Sequence, residues 1–204
     1  MFPGTLSFRP VDMLVEGRLD PSVYTYQVDE DWMQVILCNS HEEEKEIGSP
    51  LVGDMADTGA LGLDPQATYY PYDFWNDRLV GEFDAERPFV QTHKPRHALS
   101  YALRRKLDHP QVLSTNRHIM QGMVELGGVK WDAETSTLSG TARLVGGEPF
   151  VITLANKGFV PVRAGATGAE ASLDTKEGLM RLTLSTQENA EVDWQVSGSL
   201  NPGK

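Results

Sequence analysis

The chain is 204 residues long, with 40% hydrophobic residues, 23% charged residues and a formal net charge of −11. That length holds one large all-β domain or two small ones, and it can bury a core in either case. The acid excess excludes an electrostatic footprint for nucleic acid or an anionic membrane surface; neutral carbohydrate and protein surfaces remain compatible partners.

The N-terminus, MFPGTLSFRP, has neither a basic start nor an apolar core segment, so no signal peptide is expected and a complete chain would be cytoplasmic. No apolar run approaches the length of a membrane-spanning helix. Residues 1–20 carry Pro3, Gly4, Pro10 and Gly17 with little periodicity and read as an extended lead-in. Val23–Val28 alternates, and after the acidic turn Asp29-Glu30-Asp31 the run WMQVILCN is nearly continuous in apolar character, as expected of a central strand covered on both faces. Cys38, the single cysteine, lies within that run, which excludes an intrachain disulfide and favours a small buried hydrophobe over a nucleophile. His41–Glu46 is a charged turn, and Pro50–Pro65 is a Gly- and Asp-rich loop with room for one helical turn at most.

Ala67–Phe83, ATYYPYDFWNDRLVGEF, gathers six aromatic residues around an Asn76-Asp77 turn signal and reads as a β-hairpin. Such density either fills a sandwich core or presents a stacking platform to a ligand. Pro88–Lys94 is a further short strand. In His97–Lys106 (HALSYALRRK) helix propensity competes with all-β surroundings, and the surroundings favour a strand. Residues 108–118, polar and containing Pro110, read as a linker between a first β-sandwich at 21–107 and a second at 119–204. In the second half strands are expected at Ile119–Leu126, Val129–Asp132, Thr137–Val145, Pro149–Ala155, Phe159–Arg163, Leu179–Ser185 and Val192–Val196. Gly127-Gly128 is expected as a turn between two of them and Gly146-Gly147 as a hairpin turn. The fold class is therefore all-β: antiparallel β-sandwich, in two packed β-domains.

Chemistry-bearing clusters are few. His93 and His97 are four apart, but Pro95 between them disfavours the helix that would make them paired metal ligands. His109 and His118 stand alone. Asp73, Asp77, Glu82 and Asp84 surround the hairpin and supply the residue types of an acid–base pair for glycoside cleavage, yet a hairpin tip is too wet to raise one carboxyl pKa. No nucleophile elbow, phosphate loop or dinucleotide fingerprint occurs. Arg143 and Arg163 are single charges in or beside strands. No catalytic, cofactor-binding or metal-binding residue is assigned, and no cofactor is expected.

The series PVDMLVEGRLDPSVYTYQVDEDWMQVILCN, GLDPQATYYPYDFWNDRLVGEF and HPQVLSTNRHIMQG resembles the region that follows the catalytic barrel in melibiase-type, α-galactosidase-like glycoside hydrolases. The resemblance spans about residues 10 to 125, its order being carried by Pro21–Val23, Trp32, Val35, Leu37, Asn39, Gly62-Leu63, Tyr69, Tyr72–Trp75 and Gly81. It implies a non-catalytic accessory C-terminal β-domain, because the two aspartates of that family lie on the strands of a (β/α)8 barrel that this chain does not contain. The implied partner is the barrel of the parent enzyme, with self-association through an exposed docking face as a consequence of its absence. A carbohydrate-binding module that uses the hairpin aromatics is the alternative. Tyr70, Tyr72, Trp75 and Asn76 are the candidate carbohydrate or barrel contacts.

Overall fold

The computed structural model describes residues 7–15, 20–54 and 59–200. Parts of the lead-in and of the Pro50–Pro65 loop lie outside the described residues. The fold is all-β and antiparallel throughout, and it divides into two compact units, Met1–Lys106 and Leu107–Lys204.

In the first unit β1 (Arg9–Pro10), β2 (Val23–Asp29), β3 (Trp32–Asn39), β4 (Lys45–Ser49), β5 (Tyr69–Asp73), β6 (Arg78–Leu79), β7 (Phe89–His93) and β8 (His97–Arg105) follow in sequence. Six of them form one sheet in the order β1-β2-β3-β8-β5-β6, while β4 and β7 pair as a second, two-stranded sheet. The lead-in is thus partly structured: β1 edges the large sheet, and the buried Asp12 carboxylate accepts the Ser22 amide at 2.9 and 3.1 Å and the Val23 amide at 3.1 Å.

Strand alternation decides what fills the core. Val23, Met33, Val35, Leu37, Tyr69, Leu99, Tyr101 and Leu103 project from one face of the large sheet onto Ile47 and Phe89 of the small one. Phe89 meets Phe83 and Tyr101 edge-on at centroid distances of 5.3 and 5.0 Å, a favourable aromatic geometry. The hairpin of β5 and β6, the β2–β3 pair and the extended state of HALSYALRR are all as the residue pattern predicts.

The second unit is a sandwich of two four-stranded sheets. Its strands are β9 (Gln111–Thr115), β10 (Leu126–Asp132), β11 (Thr137–Leu144), β12 (Phe150–Ala155), β13 (Phe159–Ala166), β14 (Glu170–Lys176), β15 (Leu179–Ser185) and β16 (Ala190–Leu200). They are arranged β10-β11-β16-β13 and β14-β15-β12-β9. Leu138, Ala142, Val192, Trp194 and Val196 from one sheet meet Ile152, Leu154, Met180, Leu182 and Leu184 from the other. Trp194 is 1% exposed and donates its indole N–H to the Thr141 carbonyl at 3.3 Å. Its ring has room because Gly140 lies opposite; a Cβ there would stand 3.1 Å from Trp194 Cζ2.

Four expectations for this half are corrected. Residues 108–118 are not a linker: Gln111–Thr115 is β9, fully buried and paired with β12, because QVLST supplies a β-branched and apolar run that the polar flanks disguise. Ile119–Glu125 forms consecutive turns rather than a strand. Gly127-Gly128 makes a bulge inside β10, with the register slipping before Lys130 and Gly128 at φ 57°, instead of a turn between two strands. Gly146-Gly147 turns the chain from β11 to β12, which belong to different sheets, so the link is no hairpin; Gly147, at φ 79°, donates its amide to Thr186 O at 2.9 Å. β14 went unanticipated because Ala171 and Leu173 are the only apolar residues of EASLDTK, and at the sheet edge both are only partly buried against the core.

The small sheet of the first unit depends on one close approach. A Cβ on Gly48 would lie 2.1 Å from the Phe89 carbonyl oxygen, against rigid backbone. Gly48→Ala is expected to cost about 1–3 kcal/mol by overpacking and to release the amides of β4 and β7 to hydrogen exchange while those of the second unit stay protected.

Candidate functional site: the tip of the aromatic hairpin

Five consecutive residues of β5, Tyr69 to Asp73, are buried, and immediately beyond them the chain comes to the surface. The transition is held by Asp73. Its side chain is wholly buried, and Oδ1 accepts the amides of Trp75 (3.1 Å) and Asn76 (3.2 Å). Oδ2 accepts the Asn76 side-chain amide at 2.7 Å, and Arg78 Nε lies 3.9 Å from the same oxygen. An aspartate that bonds the backbone two and three residues onward is the usual means of fixing a tight turn. Asp77 completes it in the left-handed region at φ 49°, and its carboxylate accepts the Tyr72 hydroxyl at 2.7 Å.

This turn displays Trp75, 61% exposed, with Phe74 edge-on beneath it at 5.2 Å and 80°. Asn76 is exposed beside it. Tyr70 and Tyr72 must be withdrawn as contact residues: at 7% and 1% exposure, they have no ring face to offer. Period-2 alternation puts both on the opposite side of the sheet from Tyr69, and that side is buried as well. Of the four candidates, Trp75 and Asn76 are at the surface.

The carboxylates do not form an acid–base pair. Asp73 is engaged by the turn, Asp77 accepts the Tyr72 hydroxyl, Glu82 is paired with Lys106 Nζ at 2.7 Å, and Asp84 accepts the Glu86 amide at 3.1 Å. Burial and the Asp12 charge push the Cys38 thiol up, opposite to what a nucleophile requires. The His93 and His97 rings stand 6.2 Å apart at the β7–β8 junction, and among the described residues no group of three His, Cys, Asp or Glu could hold a metal ion.

Two buried polar residues close the ends of β3 and β7. Asn39 ties the end of β3 to the end of β7: its amide nitrogen lies within 2.8–3.1 Å of the carbonyls of Glu43, His93 and Lys94, and its oxygen accepts the His41 amide at 3.1 Å. The spacing Asn39–His41 is that of an Asx turn and was legible as such. His93 is 1% exposed, and among the described residues neither ring nitrogen completes a hydrogen bond. Only the fold reveals this.

In comparisons with known proteins, no family model matches this chain and no curated protein is similar to it.

Burial, reinforced by the charge of His97 and partly offset by Asp73, pulls the His93 pKa below its ordinary 6.5. The unfolded chain therefore takes up a proton near pH 6.5 that the folded chain accepts only at lower pH. The stability associated with His93 is complete above about pH 6.5 and falls as the pH drops toward the folded value. His93→Phe is expected to flatten that decline in urea denaturation measured between pH 7 and 5; an unchanged slope would assign it to other groups. Asp73→Ala leaves the Trp75 and Asn76 amides without their acceptor. A loss of about 1–3 kcal/mol follows, and tryptophan emission should show greater mobility of Trp75.

Proposed function

We propose that this chain is the non-catalytic accessory β-region of a melibiase-like glycoside hydrolase, supporting a (β/α)8 catalytic barrel and meeting it through the tip of the aromatic hairpin. One observation carries the reading. The ordered residues of the resemblance, far apart in sequence, assemble into one sheet and its turn. Trp32, Val35, Leu37 and Asn39 line β3, Tyr69 and Tyr72 lie on β5, and both strands pair with β8. These six are buried, and the turn they support reaches outward with Trp75 on it; Pro21, Gly62 and Gly81 of the same series lie outside the strands and are not buried. A large aromatic side chain held at the surface by a buried turn is the sort of anchor that interfaces use.

The test is complementation. A melibiase-type barrel stripped of its own C-terminal region should gain thermal stability when mixed with this chain, and Trp75→Ala should weaken that gain at least several-fold. The chain alone should not hydrolyse aryl α-galactosides; turnover proportional to its own concentration would overturn the reading, as would the absence of any association with the barrel.

The same tip favours a second reading. Trp75 braced edge-on by Phe74, with the Asn76 amide alongside, is a stacking face with a hydrogen-bonding group at its rim, which suits a sugar ring. Titration with galactosides, read by tryptophan fluorescence and lost in Trp75→Ala, would support a carbohydrate-binding module in place of a barrel support.

A further inference from the structure

The outer face of the sheet β10-β11-β16-β13 in the second unit is a groove of about 510 Å³. Its floor is laid by strand register. Lys130 faces Ser139, Ser139 faces Gln195, and Gln195 faces Gly165, so one row crosses all four strands. At about 4.8 Å per strand this row spans roughly 14 Å. Beside it runs a second row in which Thr141 faces Asp193 and Thr167 donates its amide to the Asp193 carbonyl at 2.9 Å. Arg163 stands over the β13 edge.

Two features separate this face from an ordinary wet sheet surface. Gly165 and Gly128 leave open space where a Cβ would project, with no atom within 4 Å, so the groove stays deep at both edges. Four of the functional groups around it are also uncommitted, whereas the Thr141 hydroxyl donates to the Gly127 carbonyl at 3.2 Å. Farther along the same sheet Arg143 is closed onto Glu191 at 3.3 Å. By contrast, among the described residues the Arg163 guanidinium, the Asp193 carboxylate, the Gln195 amide and the Ser139 hydroxyl take part in no side-chain hydrogen bond or ion pair.

We propose that this groove binds a short acidic saccharide, one whose sugar rings carry a carboxylate. A planar fork of N–H donors on Arg163 matches a carboxylate in bidentate fashion. The acceptor oxygens of Asp193 suit a pair of neighbouring hydroxyls, and Ser139 and Gln195 both donate and accept, as sugar hydroxyls require. Charge points the same way. In a chain of net −11, Lys130 and Arg163 put two cations against the single anion Asp193 in this groove. A narrow polar concavity without a large exposed aromatic is poorly suited to a protein anchor. The site lies in a different unit from the hairpin tip and is independent of the reading given to Trp75.

The experiment is calorimetric titration of the whole chain with a short oligogalacturonate and, separately, with a neutral galactan oligomer of equal length. The oligogalacturonate should bind with a dissociation constant between about micromolar and millimolar, more weakly as salt is added, and the neutral oligomer at least about tenfold more weakly. Arg163→Ala should cost about tenfold in affinity. Gly165→Val, whose Cβ would meet no atom within 4 Å and whose methyl groups would enter the groove, should abolish binding at an unchanged melting temperature. Trp75→Ala should leave it intact. The proposal is overturned if neither oligomer binds, if the neutral one binds as tightly, or if Gly165→Val and Arg163→Ala both retain wild-type affinity. Loss of binding in Trp75→Ala with retention in Gly165→Val would likewise overturn it and move the ligand to the hairpin.

Discussion

The first unit depends on the pairing of β8 with a strand on each side. From His97 to Arg104 it is in register with β3, and from Tyr101 to Arg105 with β5. A strand so placed has its backbone donors and acceptors engaged in two directions. The Leu99, Tyr101 and Leu103 side enters the apolar core; on the other side Ser100 and Ala102 are buried too and Arg104 is half-buried. Small residues at Ala98, Ser100 and Ala102 let the second face lie flat, while Arg104 places its guanidinium 3.3 Å from the Trp32 ring centroid, a cation–π contact that burial strengthens. β3 and β5, distant in the chain, have no other means of sharing a sheet.

That constraint explains why HALSYALRR is a strand despite its helical propensity. Ala, Leu and Arg lean toward a helix by a few tenths of a kcal/mol each, roughly, which is small beside two full ladders of backbone hydrogen bonds. The opposite outcome holds at Ile119–Glu125, which forms turns closed by local backbone bonds: the amides of Gln121, Met123 and Leu126 donate to the carbonyls of His118, Met120 and Gly122. Local pattern predicts well where a strand's two faces differ in polarity, as in LMRLTLS, whose Met180, Leu182 and Leu184 all enter the core. It predicts poorly at glycine pairs. Gly127-Gly128 and Gly146-Gly147 look alike in sequence, yet one is a bulge within a strand and the other carries the chain between sheets. What separates them is which strand lies alongside, a long-range fact that two glycines cannot encode.

The hairpin was visible as an aromatic concentration, and its division into core and surface was visible only in part. Alternation alone would expose one side of β5, and Tyr70 and Tyr72 were candidates on that basis. Burial of both faces of the sheet removes them and leaves the outward role to the turn. Asp73 makes this division sharp. A carboxylate taken fully out of water needs several donors, and it finds three in the next three residues, so the chain cannot leave the sheet in any other direction. The exposure of Trp75 thus follows from the burial of Asp73 two positions earlier.

The two outward features differ in physical character, and that difference limits what each can recognise. Trp75 offers an apolar face whose attraction comes from contact area and ring electrostatics, both nearly indifferent to ionic strength. The groove offers charge and hydrogen-bonding capacity on a floor of glycine and short polar side chains, with attraction screened beyond about 8 Å at physiological salt. A ligand bound at the tip needs a flat C–H surface; a ligand bound in the groove needs hydroxyls at the spacing of neighbouring strands and a carboxylate at one edge. The tip belongs to the first unit and the groove to the second. The sandwich framework is common to many unrelated activities, so specificity has to come from side chains the framework leaves uncommitted. In the groove these are Arg163, Asp193, Gln195 and Ser139, residues whose single occurrences along the sequence carry no motif and which only antiparallel register brings into neighbouring rows.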